Sequence, residues 1–207
     1  MILIDITRFR QIPTFGRTGT IRKFSSNASE MKKLAGRDFE DLLQCAIPAF
    51  EGLLQEPHNT RLLRLLFRTA EWHAFAKLRL QTDSTLARLE QLTTEFGRLM
   101  REFRDYSCSE FHTVKLPRER EKRQRNNKKG SQTGSSTRDS ASSSTQTARK
   151  LNLDTYKFHA LGDYFQTIKL FGPVDSYSTQ IVSCLGYSIL CINIVTTFIG
   201  RTCAPNC

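Results

Sequence analysis

Two pairs of residues in this chain have the four-residue spacing that is common among metal ligands. Cys108 precedes His112 by four positions, and Cys203 precedes Cys207 by the same interval. A structural zinc site needs four ligands, which are supplied as two such pairs at recognisable distances along the chain. Neither pair has a convincing second pair, so the sequence predicts no metal site and no cofactor.

The sequence also gives little indication of residues that could transfer protons in catalysis. His159 and Asp163 lie four residues apart and would share a face if the segment is helical, which favours a local hydrogen bond or ion pair over a catalytic pair. Trp72 and His73 lie inside a helical pattern, where we expect a core anchor beside a neutral imidazole. The chain has no glycine-rich phosphate loop, nucleophile elbow or His-Glu-x-x-His motif. We therefore predict that it has no catalytic residues and is not an enzyme.

Positive charge is the strongest chemical signal, because 31 Lys and Arg against 20 Asp and Glu give a net charge of +11. Such an excess favours polyanionic partners, nucleic acid or an anionic membrane surface. Arg61, Arg64 and Arg68 form a stripe that is more often a solvated helix face than a binding face. A denser cluster has the composition of a nuclear-import signal, a phosphate-contacting patch or a solvated linker. Its residues are Lys122, Arg123, Arg125, Lys128 and Lys129.

Differences in composition along the chain indicate the segments that must position these residues. We predict a mainly α fold, namely a small helical bundle with a disordered basic linker, one further helix and an apolar C-terminal tail. The linker is assigned as disordered because it has almost nothing apolar to bury. The five segments are an irregular basic segment (1–26), a three-helix core (27–112), the basic and Ser-rich linker (113–150), a fourth helix and turn (151–180), and the tail (181–207).

Helix boundaries within the core follow from capping residues. Asn27, Asn59 and Asp83 are predicted to begin the three helices. Pro48 should kink or divide the first helix, because proline removes a hydrogen-bond donor and clashes with the preceding turn. A fourth helix follows Thr155 and is predicted to stop before Gly172 and Pro173.

Apolar residues at helical spacing predict which faces are buried. The second helix is assigned one broad apolar face. Its members are Leu62, Leu63, Leu66, Phe67, Ala70, Ala74 and Leu78. The third helix has a stripe close to the period of bundle seams. Its members are Leu86, Leu89, Leu92, Phe96, Leu99 and Phe103.

Long blocks of the chain resemble the Plavaka group of fungal DNA transposases, which belong with the CACTA-type cut-and-paste elements. The blocks contain RFRQIPTFGRTGTIRKFSSNASEMKKLAGRDFEDLLQ, LLFRTAEWHAFAKLRLQTDSTL and LNLDTYKFHALGDYFQTIKLFGPVDSYSTQ, in family order between Arg8 and Gln180. The resemblance implies an RNase-H-like transposase, in which carboxylates hold divalent metals for DNA cleavage.

The chain departs from the family pattern on both sides of these blocks. Only MILIDIT stands where the family has an acidic, histidine-containing segment, and IVSCLGYS replaces a Gly-Glu-x-x-His-Arg-Arg-type segment. The remaining carboxylates match no catalytic position. These are Asp38, Glu40, Asp41 and Asp163. We therefore expect a non-catalytic, transposase-derived module that binds DNA without sequence preference, or packs on a catalytic core supplied elsewhere, in the nucleus.

The apolar run that starts at Ile181 and ends at Gly200 leaves two alternatives open. It has no charge and about the 20 residues that a membrane span needs, which would make the chain a small tail-anchored membrane protein. Alternatively, Val182 and Ser183 can be encoded as GTAAGT, a strong splice-donor sequence, so the run would be translated intron. We favour the intron interpretation. A third alternative for the whole chain is a transposable-element remnant without function.

Overall fold

The computed structural model describes residues 8–14, 21, 23–24, 36–111 and 151–174. The fold is mainly α, as predicted. The helices are α1 (Arg8–Gln11), α2 (Gly36–Phe50), α3 (His58–Ala76), α4 (Asp83–Glu102), a π-helical turn (Phe103–Ser107), α5 (Cys108–Glu110), α6 (Tyr156–His159) and α7 (Tyr164–Phe171).

Helix α2 passes through Pro48 without division. Pro48 lies in the last turn of the helix, so its missing donor removes a single hydrogen bond before the helix ends at Phe50. The chain then turns at Gly52, whose φ of 69° suits glycine. The predicted start at Asn27 lies outside the described residues.

Helix α3 begins one residue before the predicted cap. Asn59 is not the N-cap but lies in the first turn, where its Oδ1 accepts a hydrogen bond from the Gly52 amide at 3.0 Å. The Glu56 carboxylate caps the helix instead, because its Oε2 accepts from the Thr60 amide at 3.2 Å. A carboxylate near these free amides also complements the positive end of the helix dipole.

Helix α4 is capped by Thr82 rather than by the predicted Asp83. The Thr82 hydroxyl accepts from the Thr85 amide at 3.2 Å, and the Thr85 hydroxyl accepts from the Thr82 amide at 2.8 Å. This reciprocal pair is a capping box with threonine at both positions. The predicted stripe of α4 is buried, apart from Leu86, which is half-buried.

The buried face of α3 differs from the predicted face. Leu62 and Leu66 are fully buried, but Phe67 is 55% exposed and Ala74 is exposed. Phe67 follows Leu66 directly, so it is rotated by about 100° from the buried stripe. The positions that face the core keep a regular spacing of three and four. They are Leu62, Leu65, Leu66, Thr69, Trp72, His73 and Ala76.

The predicted fourth helix is two short helices. Hydrogen bonds from residue i to i−3 at Leu161, Gly162 and Asp163 form a tight turn between α6 and α7. Glycine is a poor helix former, and Leu161 is buried by the turn. As predicted, Thr155 precedes the first of these helices, and the second ends before Gly172, whose φ is 84°.

Residues between 151 and 174 join the same hydrophobic core as α2, α3 and α4. Leu153, Leu161 and Ile168 are buried in the cluster that also holds Trp72 and Phe96. The Tyr164 ring packs edge-on against Trp72, with ring centroids 5.1 Å apart. The helical segments on either side of residues 112–150 therefore form one packed body.

Candidate functional site

The basic cluster at Lys122, Arg123, Arg125, Lys128 and Lys129 lies outside the described residues, but both ends of the surrounding segment are placed. The Phe111 ring packs edge-on against His58 at the start of α3, with centroids 5.2 Å apart. On the other side, Leu151 packs against the core and Leu153 is buried in it. Residues 112–150 therefore leave one helical body and return to the same body.

The π-helical turn lies shortly before the point where the chain enters the basic segment. The Arg104 guanidinium donates to Asp105 at 2.6 and 3.2 Å, and this bond is the main reason why the pKa of Arg104 is raised. The charge of Asp154 raises the pKa of Arg104 further. The departure at Phe111 follows the same turn by four residues. The basic segment is thus flanked on both sides by residues that pack on the helical body.

Positive charge is concentrated in the segment rather than in the body. Residues 36–111 have ten Lys or Arg against twelve Asp or Glu, a net charge of −2. Residues 112–150 have eleven Lys or Arg against three acidic residues, a net charge of +8. Most of the +11 on the whole chain therefore lies in the 39 residues between Phe111 and Leu151.

The predicted arginine stripe of α3 is only partly a solvated face. Arg68 donates to Glu95 at 3.1 Å and to Glu71, and the Glu71 hydrogen bond is the main cause of the raised pKa of Arg68. Arg61 lies 3.8 Å from Glu102. Arg64 is exposed and has no ion-pair partner among the described residues. In this part of the chain, the stripe therefore has an unpaired cation between two paired ones.

Glu71 joins α3 to α4. It accepts from Arg88 of α4 at 2.9 Å and from Arg68 of its own helix. Burial raises the pKa of Glu71, but the hydrogen bonds from Arg88 and Arg68 outweigh burial and leave the pKa lowered. The carboxylate is therefore held ionised between two guanidinium groups.

Two exposed aromatic rings accompany the arginine stripe. The Arg61 Cζ lies 5.3 Å from the centroid of Tyr106, which is 62% exposed, and the Arg68 Cζ lies 5.6 Å from the centroid of Phe67. These are cation–π distances. Sequence reasoning misses both rings, since the apolar pattern assigns Phe67 to the core and Tyr106 comes from another element. Phe67 lies one position outside the buried stripe and directly before Arg68. That position in the sequence could have identified it as an exposed ring beside a cation.

Trp72 and His73 have the roles predicted for them. The Trp72 indole is 1% exposed, and the His73 side chain is buried. Burial is the main cause that lowers the pKa of His73 to about 4, and the charge of Lys77 adds to it. The imidazole is therefore neutral near pH 7. Its Nε2 has no hydrogen-bond partner within the described part of the chain.

The cysteines considered as ligands do not form a metal site among the described residues. Burial raises the pKa of Cys108 to about 12 and that of Cys45 to about 11, so both thiols stay protonated. His112, Cys203 and Cys207 lie outside the described residues. Within residues 8–14, 21, 23–24, 36–111 and 151–174, no three His, Cys, Asp or Glu side chains are grouped so that they could hold a metal ion.

Of the acidic residues named from the sequence, Asp38, Glu40 and Asp41 lie on α2, and Asp163 lies in the turn before α7. His159 and Asp163 are both exposed, and the turn after α6 removes the shared helical face that their spacing predicted. Glu40 of α2 accepts a hydrogen bond from Lys77, and Asp41 is buried. Among the described residues, these carboxylates are not part of any group of three or more side chains that could hold a metal ion.

The apolar run that starts at Ile181 and ends at Gly200 also lies outside the described residues. Among the helices that are described, none is both long enough and apolar enough to cross a membrane. No protein-family model, curated protein or solved structure matches the chain.

Proposed function

We propose that this chain is a non-catalytic nucleic-acid-binding module derived from a DNA transposase. In this proposal the helical body anchors the basic segment 112–150 at both ends, and the segment contacts phosphate groups without sequence preference. The observation that carries the proposal is the charge partition, with +8 on the segment and −2 on residues 36–111.

The physical basis is counterion release. Lys and Arg that neutralise phosphates release condensed cations from the nucleic acid, which supplies most of the free energy of non-specific binding. Residues 36–111 of the helical body have no excess of positive charge, so their surface adds little attraction of this kind. The contribution of the body is attachment, since Phe111 and Leu153 both pack on it.

The transposase origin is proposed from the sequence blocks between Arg8 and Gln180 and not from any catalytic arrangement. The module would act in the nucleus, next to a catalytic core that another chain supplies. Two carboxylates that could in principle bind a metal form ion pairs instead. Glu40 pairs with Lys77, and Glu71 pairs with Arg68 and Arg88. This favours a binding role over a cleaving role.

The experiment compares two variants that each lose five positive charges from the full chain. The first replaces Lys122, Arg123, Arg125, Lys128 and Lys129 with Gln. The matched control replaces five exposed basic residues elsewhere, namely Arg10, Lys23, Arg101, Lys157 and Lys169, with Gln. Affinity is measured by fluorescence anisotropy with two DNA duplexes of unrelated sequence.

We expect the first variant to bind both duplexes much more weakly, and the control to stay close to the unmodified chain. Both duplexes should be bound with similar affinity, because phosphate contacts contain no sequence information. Equal weakening by the two variants would assign binding to net charge alone and contradict the role of the segment. No binding of the unmodified chain at low salt would overturn the proposed function.

A further inference from the structure

We infer that a ridge on the surface of the helical body binds unpaired nucleotides of the nucleic acid that the basic segment holds. The inference rests on the proposed function and adds the substrate class, a single strand or an unpaired stretch. The ridge consists of Arg61, Arg64, Phe67 and Arg68 on α3, and Tyr106 from the π-helical turn.

The exposed rings are the first observation. Phe67 is 55% exposed and Tyr106 is 62% exposed, in a body that buries Trp72, Phe96 and Phe103 almost completely. One exposed aromatic residue is ordinary, but here two rings each lie under a guanidinium group of the same helix. Exposed aromatic faces combined with arginine are the features with which proteins bind single strands, because every base can stack on them.

The spacing of the two ring-and-arginine pairs suits stacked bases. Arg61 and Arg68 are seven residues apart on α3, which corresponds to about 10 Å along the helix. Successive bases of one strand rise by about 3.4 Å, so the same distance spans about three bases. Arg64 lies between the two pairs, within reach of a phosphate between the stacked bases.

Charge along the ridge favours base contacts over a row of phosphates. At the Tyr106 end, Arg61 shares Glu102 with Arg98, which lies closer to that carboxylate at 2.9 Å. At the Phe67 end, Arg68 is held between Glu71 and Glu95. These carboxylates repel a phosphate backbone, while stacking on a ring face needs no net charge. A duplex presents its backbone outward and hides its base faces, so it fits this ridge poorly.

The ridge also begins where the basic segment leaves the body. Tyr106 precedes Phe111 by five residues, and Phe111 contacts His58, which precedes Arg61 by three residues on α3. Tyr106 and Arg61 are therefore the part of the ridge that lies closest to Phe111, the last described residue before the basic segment.

The experiment uses the full chain with two probes, a 20-nucleotide oligothymidylate and a 20-base-pair duplex. The test variant, Phe67→Leu with Tyr106→Leu, keeps apolar side chains but removes both ring faces. Its matched control, Phe171→Leu with Tyr156→Leu, removes the same two ring types at sites that are 67% and 83% exposed. Circular dichroism of each variant establishes that the helices are kept.

We expect the test variant to bind the oligothymidylate about tenfold or more weakly, since each stacked base contributes substantially to affinity. Its affinity for the duplex should stay within about twofold, and the control should leave both affinities unchanged. Unchanged oligothymidylate binding by the test variant would overturn the ridge while the proposed function stands. Equal weakening for the two probes, or the same weakening in the control, would overturn it as well. Absence of binding to both probes by the unmodified chain contradicts the proposed function itself.

Discussion

The Trp72 indole Nε1 donates a hydrogen bond to the Thr93 hydroxyl at 2.8 Å, and this bond joins α3 to α4. Trp72 also lies between Phe96, with a centroid distance of 6.4 Å, and Tyr164 of α7. One side chain therefore connects three helices of the body. Its N–H is buried, so removing the acceptor should have a measurable effect on stability.

Replacing Thr93 with Val should destabilise the body by about 1–3 kcal/mol, because the buried indole N–H is left without its partner. Thr94→Val is the control. Both hydroxyls donate to the carbonyl four residues earlier, at 2.8 Å from Thr93 and 3.2 Å from Thr94, but of the two only Thr93 accepts from the indole. Urea unfolding of the full chain measures the difference. Equal effects of the two substitutions would show that the indole bond adds nothing.

The free energy of unfolding should decrease as the pH is lowered from 7, because His73 is buried in its neutral form. Its pKa is about 4 in the folded chain against 6.5 as the ordinary value, so the unfolded chain binds the proton more readily. The contribution of His73 to stability is therefore complete above pH 6.5, declines as the pH falls toward 4, and changes no further below that. Between pH 7 and pH 5 the decrease from this residue should be about 2 kcal/mol.

The measurement is urea unfolding at pH 7 and pH 5 with His73→Phe and with His159→Gln. The first variant should lack the pH-dependent part that His73 contributes, and the second, at an exposed histidine, should keep it. The charges of Lys77 and Glu40, which act on the pKa of His73, are unchanged in both variants. The same pH dependence in His73→Phe would contradict this assignment.

The link between α3 and α4 through Glu71 should make a small, salt-sensitive contribution to stability. Glu71→Gln removes the charge that Arg68 and Arg88 share, and we expect a decrease of about 0.5–1 kcal/mol at low salt, because the pairs are partly exposed. Glu90→Gln on the exposed face of α4 is the control. The difference between the variants should shrink at about 1 M salt. A difference that is independent of salt would indicate packing rather than charge.

The C-terminal region yields a prediction about the transcript. If residues from Ile181 onward are translated intron, the mature message should be spliced at the codons for Val182 and Ser183. It should then continue into a Gly-Glu-x-x-His-Arg-Arg-type segment. Sequencing the message tests this directly. Messages that read through to Cys207, together with a tagged protein that stays in membranes after carbonate washing, would support the tail-anchor alternative instead.

Sequence periodicity is sufficient to predict the central helices but not their ends. The apolar stripe from Leu89 on α4 to Phe103 in the π-helical turn is buried as predicted, because apolar residues that recur every three or four positions lie on one face of a helix. The caps differ from the predicted residues, since Glu56 accepts from the Thr60 amide and Thr82 from the Thr85 amide. The capping propensities of neighbouring polar residues are too similar to predict which of them caps the helix.

The ridge is beyond sequence reasoning for a different reason. Tyr106 meets Arg61 only because α4 and its π-helical turn return beside α3, a tertiary relationship that spacing along one helix does not contain. The pairing of Arg68 with Glu95, 27 residues away, has the same origin. The basic cluster is recognisable from composition. Its attachment at both ends to one body depends on the packing of Phe111 and Leu153, which composition does not contain.

The dependence of DNA affinity on salt tests the central proposal most directly. For duplex DNA, the slope of log affinity against log salt becomes shallower by about 0.9 for each phosphate that the protein no longer neutralises. The variant with Gln at Lys122, Arg123, Arg125, Lys128 and Lys129 should therefore have a slope shallower by up to about 4.5. The matched variant at Arg10, Lys23, Arg101, Lys157 and Lys169 should keep the slope of the unmodified chain. An unchanged slope in the first variant, or the same reduction in both, would contradict the assignment of phosphate binding to residues 112–150.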